Sequence, residues 1–156
     1  NCIYVSEIFR ISGMKTRIMS SFSISDMSEV FSKDEANKAL QNGEVVFCAC
    51  GTGHPYFSTD TGVVLRALEL TCKEILLAKA IDGVYDKDPK KFPDAKKYDT
   101  LSIEEVVEKR LQVIDLSASI LCLENRLPMS VFSLEEEDGI FKALLGEHKG
   151  TRVTAD

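Results

Sequence analysis

"EVVFCACGTGHPYFSTDTGVVLRALELT", residues 44–71, decides how this chain is read as a fold. Its first seven residues form an apolar run of the kind buried in parallel sheets, and residues 59–71 carry helical periodicity, so the stretch predicts strand, loop and helix. The helix is expected to be capped by Thr59 or Asp60. In open α/β sheets, ligands bind beyond the carboxyl ends of strands, and residues 51–60 occupy that place. Gly51 and Gly53 permit positive φ and let a ligand approach bare backbone. The unpaired N–H groups that begin the next helix attract phosphate, and Thr52, Ser58 and Thr59 add hydroxyls.

Two readings of this loop stand side by side. In one it receives a ligand; in the other two glycines and a proline make an ordinary turn, and Ser58, Thr59 and Asp60 only cap a helix. Neither the Walker A pattern nor the dinucleotide fingerprint is present. A helix N-terminus contributes about 0.3–1 kcal/mol to an anion, and up to about 2 when partly buried. Micromolar affinity requires about 8 kcal/mol, so this loop alone cannot hold a nucleotide tightly. Asp60 also repels a phosphate unless a lysine or a metal ion lies between them. A ligand-binding loop therefore predicts such a cation.

Outward from this stretch, residues 1–11 read as a helix stopping at Gly13, 15–21 as a strand, and 33–43 as a helix with Ala36, Ala39 and Leu40 on one face. After residue 71, "KEILLA" (73–78) is a buried strand, and residues 81–99 form a polar loop too long for a simple connector. Helices over 102–110 and 115–125, a strand over 129–132, a helix over 136–146 and a strand over 151–154 complete the chain. Strands alternating with helices predict crossovers and a parallel sheet covered on both faces. The expected fold is a three-layer α/β/α sandwich, with residues 1–156 as a single domain.

Composition narrows the partners. At 156 residues, 44% hydrophobic and 28% charged, the chain is an ordinary globular sequence, able to bury roughly 70% of its unfolded surface. A net charge of −6 gives no basic field for nucleic acid, although a local basic pocket can hold a small phosphate ligand. Cys48 and Cys50 alternate onto one face of a strand, and an odd total of five cysteines favours reduced, cytoplasmic thiols. No run approaches 18 apolar residues, so neither a membrane span nor a signal peptide is expected, although the chain opens on Asn1 and not on Met.

"DGVYDKDP", residues 82–89, gathers Asp82, Asp86 and Asp88 around Tyr85. The regular oxygen spacing and closing Glu of an EF-hand are missing. Tyr85 could stack on a base and Asp88 could face ribose or a phosphate-bound cation; a solvated Asp-Pro turn is the other reading. His54 and His148 are the only histidines and lie far apart, so no zinc site is expected, and the absence of G-x-S-x-G removes a serine hydrolase.

Several segments are specific enough to name a family. "GTGHPYFSTDT", "DGVYDKDPKKFPDAKKYDTLS", "VIDLSAS", "ENRLPMSVF" and "LLGEHKGTRVT" resemble successive motifs of the bacterial UMP kinases, within the amino acid kinase family, from Asn1 to the carboxyl terminus. The resemblance implies transfer of the γ-phosphoryl group of Mg-ATP to UMP, with Mg2+ arriving on the ATP. It implies that Thr52, Gly53, His54, Pro55, Tyr56, Phe57, Ser58 and Thr59 line the UMP site and that Asp60 organises active-site lysines. It places Lys79 on the phosphate side, Tyr85 near adenine, and Asp88 toward the rest of ATP. A homohexamer and control by GTP and UTP are implied as well. His54 stands where the family carries Asn, and Ser133 where Asn is common. The family's K-x-S-G strand end, G-G-G-N-x-x-R-G loop and D-x-x-G-M segment have no counterpart in residues 1–156. The expectation is that these residues alone are catalytically incomplete. A non-catalytic uridine-nucleotide-binding or assembly module remains the alternative, and a kinase of small carboxylates or carbamates a weaker one, which the G-T-G-x-P-Y-F-S-T-D loop argues against.

Overall fold

The structure, a computed structural model, describes residues 1–111 and 113–155. Contacts divide the chain into two compact units, Asn1–Thr71 and Cys72–Asp156. Both are mixed α/β.

The first unit comprises α1 (Cys2–Ile11), β1 (Thr16–Ser20), a 3-10 turn (Ser25–Met27), β2 (Glu29–Val30), α2 (Lys33–Gln41), β3 (Val45–Ala49) and α3 (Thr59–Glu69). Its sheet runs β2-β1-β3, wholly parallel, with Thr16 opposite Val45 and Ser20 opposite Ala49. α2 begins where Ser32 accepts the Glu35 N–H and where Asp34 and Glu35 place negative charge on the first turn, each of which favours a helix start. Ala36 and Ala39 are buried as expected, whereas Leu40 is exposed. Ile18, Met19, Val64 and Ala67 complete the core, and the buried Ser6 meets the Thr16 hydroxyl at 2.7 Å. β3 is the outer strand of its sheet and is half-buried, with Cys48 exposed, in place of the fully buried run expected.

The second unit contains β4 (Ile75–Lys79), β5 (Val84–Tyr85), β6 (Lys97–Tyr98), β7 (Thr100–Ser102), α4 (Ile103–Glu108), α5 (Leu116–Asn125), β8 (Met129–Ser133), α6 (Gly139–Leu144) and β9 (Thr151–Thr154). Its main sheet runs β4-β8-β9-β7; β8 and β9 pair antiparallel, and the other two pairs are parallel. β8 is buried over Met129–Phe132, Ser130 included, as befits an inner strand of the sheet. A capping box starts α4, with Ser102 and Glu105 exchanging side-chain-to-backbone hydrogen bonds of 3.2 and 3.3 Å. Asp115 caps α5 through the Ala118 N–H at 3.0 Å. Burial pushes the Cys122 thiol on this helix up to about 11, so it stays protonated.

The expectation for residues 81–99 needs correction. Two short strands, β5 and β6, pair antiparallel inside that stretch, with Val84 opposite Tyr98 and Tyr85 opposite Lys97. Each is two residues long, too short to leave a periodic signal. β2 and β7 were hidden for the same reason.

Candidate functional site

The glycine loop of the first unit turns sharply as β3 ends. Cys50, Gly51, Gly53 and Tyr56 all take positive φ, between 55° and 73°. Gly53 could carry no side chain there in any case, because a Cβ would lie 2.7 Å from the Ser21 Cβ. Ser21 donates its hydroxyl to the Gly51 carbonyl at 2.5 Å, and Arg66 donates to that same Ser21 oxygen at 3.3 Å. Arg66 is itself held by Glu69 and by the Phe31 ring, 3.9 Å below its guanidinium. α3 lies directly against the loop: a Cβ on Gly62 would come within 2.9 Å of the Gly51 backbone. The root of the loop is therefore fixed from β1 and from α3.

Beyond the root, Thr52 and His54 fold onto each other. The His54 N–H donates to the Thr52 hydroxyl at 3.2 Å, and the His54 Nδ1 lies 3.0 Å from the Thr52 carbonyl. Pro55, Tyr56 and Phe57 stand out in solvent, with the Tyr56 side chain fully exposed. A tyrosine in the left-handed region costs roughly 1–2 kcal/mol, and no packing offsets it here. Strain of that kind clusters at active sites and ligand clamps, which makes this loop a candidate site.

Ser58, not Thr59 or Asp60, caps α3, accepting the Thr61 N–H at 3.3 Å. A cap lies outside the helix and is typically extended, as Ser58 is, whereas Thr59 and Asp60 already belong to the helix. Asp60 thus sits in the first turn, where the helix dipole favours a carboxylate.

In the second unit, Tyr85 and Asp88 come together on a cavity of about 330 Å³ whose lining also includes Gly83, Asp86, Lys91, Lys109 and Arg110. The Asp86 carboxylate accepts the Lys96 N–H at 2.8 Å, and Asp88 accepts the Lys90 N–H at 3.0 Å while Lys91 stands 3.6 Å away. Both carboxylates thereby shape the ribbon that carries them. Tyr85 donates to Asp82 at 2.8 Å, and Lys97 reaches the other oxygen of Asp82 at 3.1 Å. Partial burial raises the Asp82 carboxyl, but these two hydrogen bonds outweigh it and leave the group below its usual range; the Asp82 bond raises Tyr85 in turn. Lys79, at the end of β4, donates to the Val113 carbonyl at 2.7 Å and does not line this cavity.

The model of the amino acid kinase family matches residues 3–133. This chain belongs to the amino acid kinase family. Among its members, the chain is 44% identical over 140 residues to the uridylate kinase of Psychrobacter sp. (strain PRwf-1), covering 90% of itself and 58% of that protein. It superimposes on the UMP kinase of Bacillus anthracis with a TM-score of 0.93 at 33% identity, covering 99% of this chain and 64% of that one. For the UMP kinase of Ureaplasma parvum the TM-score is 0.91 at 30% identity, with 97% and 65% covered. The mixed α/β architecture with mainly parallel sheets is thus the amino acid kinase fold, and the resemblance to bacterial UMP kinases holds over nearly the whole chain. The chain spans roughly three fifths of the length of these family members.

Each unit of this amino acid kinase family chain carries its own group of candidate site residues. Residues 53–59 are exposed in the loop and first turn of α3 in the first unit, and Tyr85 and Asp88 share one cavity in the second. Lys109 and Arg110 on that cavity escaped sequence reasoning because "EKR" reads as the polar end of a helix. Ser21 and Arg66 escaped it because their contacts span 30 and 45 residues. Among the described residues no cluster of three metal-ligating side chains is present, and no helix is long and apolar enough to cross a membrane.

Proposed function

We propose that the protein containing this chain is a UMP kinase, transferring the γ-phosphoryl group of Mg-ATP to UMP to give UDP and ADP in pyrimidine nucleotide biosynthesis. The observation that carries this reading is the 44% identity to a uridylate kinase over 140 residues. The geometry agrees with it. Phosphoryl transfer asks a protein for positioning and charge neutralisation and for little covalent work. Thr52, Gly53, His54, Pro55, Tyr56, Phe57, Ser58 and Thr59 are assigned to UMP, with the exposed Tyr56 and Phe57 rings as its walls. Tyr85 is assigned to adenine, Asp88 to the remainder of the nucleotide, and Lys91, Lys109 and Arg110 supply positive charge around them. Asp60 and Lys79 are assigned the handling of charge in the transfer. Mg2+ is proposed to enter on the phosphates, as is usual for a cation that keeps most of its own water.

A cytoplasmic homohexamer responsive to GTP and UTP belongs to the same proposal. Because the chain spans 58% of the uridylate kinase, the activity is assigned to the full-length protein, and residues 1–156 alone are proposed to bind nucleotide with little turnover. A coupled assay of ADP release by the full-length protein tests the reading. ADP release that depends on UMP and Mg2+ is expected; release indifferent to UMP, or driven better by a small carboxylate, overturns it.

A further inference from the structure

We propose that Thr151 is a positioning residue for the donor nucleotide, acting as a buried latch that ties both strands of the β5–β6 ribbon to β9; this rests on the assignment of the Tyr85–Asp88 cavity to ATP. Thr151 is wholly buried at the start of β9, where it pairs with Val131 of β8. Its hydroxyl performs two tasks. It accepts the Val84 N–H of β5 at 2.8 Å and donates to the Tyr98 carbonyl of β6 at 2.5 Å. One side chain therefore satisfies a donor on one strand of the ribbon and an acceptor on the other.

The ribbon needs that latch. Each of its strands has only two residues, and an isolated two-stranded hairpin is marginal in water. The approach is also close: a Cβ on Gly83 would meet the Thr151 oxygen at 2.6 Å and the Lys97 side chain at 2.8 Å, so glycine alone lets the ribbon reach β9. A second tie runs nearby, from the Lys97 ammonium to the Lys149 carbonyl at 3.0 Å. Tyr85 follows Val84 directly, and the chain from Tyr85 to Asp88 lines the cavity. Holding the Val84 amide holds the wall against which a nucleotide is placed. Thr151 itself is not among the residues lining that cavity.

The test compares full-length wild-type protein with Thr151→Val, Thr151→Ser and Thr151→Ala. Valine keeps the shape and removes both hydrogen bonds, so KM for ATP is expected to rise about tenfold, with kcat and KM for UMP within about twofold of wild type. Serine keeps the hydroxyl and is expected to restore most of the ATP affinity. If the valine variant does not fold, Thr151→Ala decides by the same criterion, since it too removes the hydroxyl and residue 151 does not line the cavity. An unchanged KM for ATP in a folded variant, or equal rises for ATP and UMP, overturns the proposal. Amide exchange reads the latch without any catalysis: the Val84 N–H should exchange at least about tenfold faster in Thr151→Val while β4 and β8 are unaffected. Unaltered Val84 exchange sinks the latch. Accelerated exchange together with no UMP-dependent turnover in the wild type sinks the kinase reading and supports the latch.

Discussion

The glycine loop of the first unit and the ribbon of the second are both short, polar and rich in turn residues, yet they are held in different ways. The loop keeps its shape through backbone conformation: four of the seven residues from Cys50 to Tyr56 are in the left-handed region, and its outer half is bare to solvent. Among the described residues the ribbon has no positive φ between Asp82 and Tyr98. Its shape comes from side chains instead, through Asp82–Tyr85, Asp82–Lys97, Asp86–Lys96 and Thr151. A turn set by backbone conformation can be written in a few adjacent residues, and this loop calls on distant side chains only at its root. A ribbon defined by cross-ties needs partners far along the chain, and its latch is 53 and 67 residues away.

The contrast can be broken most severely from the ribbon's side. A methyl on Gly150 would fall 1.9 Å from the Val131 carbonyl oxygen, so Gly150→Ala must push β9 from β8. A loss of about 3 kcal/mol or more in urea denaturation is expected, with β5–β6 amide protection falling as well. The counterpart on the loop's side is Gly62→Ala, whose methyl would press on the Gly51 backbone at 2.9 Å. Allowing for the roughly 1 kcal/mol that alanine gains as a helix former, a net loss of about 1–2 kcal/mol is expected, with a raised KM for UMP and an unchanged KM for ATP.

Smaller changes sharpen the contrast. Ser21→Ala removes the donor to the Gly51 carbonyl, and a loss of about 1 kcal/mol is expected in thermal denaturation, accompanied by weaker UMP binding in calorimetry. For the ribbon, Asp82→Asn removes the pair with Lys97, a half-exposed contact for which about 0.5 kcal/mol is the appropriate scale. The sign in pH follows from the lowered carboxyl of Asp82. Its contribution is present above the ordinary carboxylate value of 3.8 and disappears as pH falls through the lower folded value. Wild type should therefore lose its advantage over Asp82→Asn in acid melts below about pH 4, and an advantage constant from pH 7 to pH 3 would remove Asp82 from the set of ties.

The sequence was legible wherever the cause was local. The strands expected over 15–21, 44–50, 73–78 and 129–132 correspond to β1, β3, β4 and β8, the helices expected over 102–110 and 115–125 to α4 and α5, and Gly51 and Gly53 marked the loop. Local reading failed where two nearby residues competed for one task, as with the cap of α3, which went to Ser58 because only that residue is extended. It failed again at the ribbon, whose two-residue strands carry no period.

By itself the sequence determined the α/β class and the order of long elements, because periodicity and glycines act within a few residues of one another, and its motifs carried the resemblance to the bacterial UMP kinases. Only the tertiary structure decided that β9 enters its sheet antiparallel to β8, that Ser21 and Arg66 fasten the loop, that Lys109 and Arg110 join Tyr85 and Asp88 on one cavity, and that Thr151 closes the ribbon. The β8–β9 pairing, the Ser21 contact and the Thr151 latch depend on which distant backbone groups need partners once the chain has folded, and the cavity depends on which distant segments the fold brings side by side.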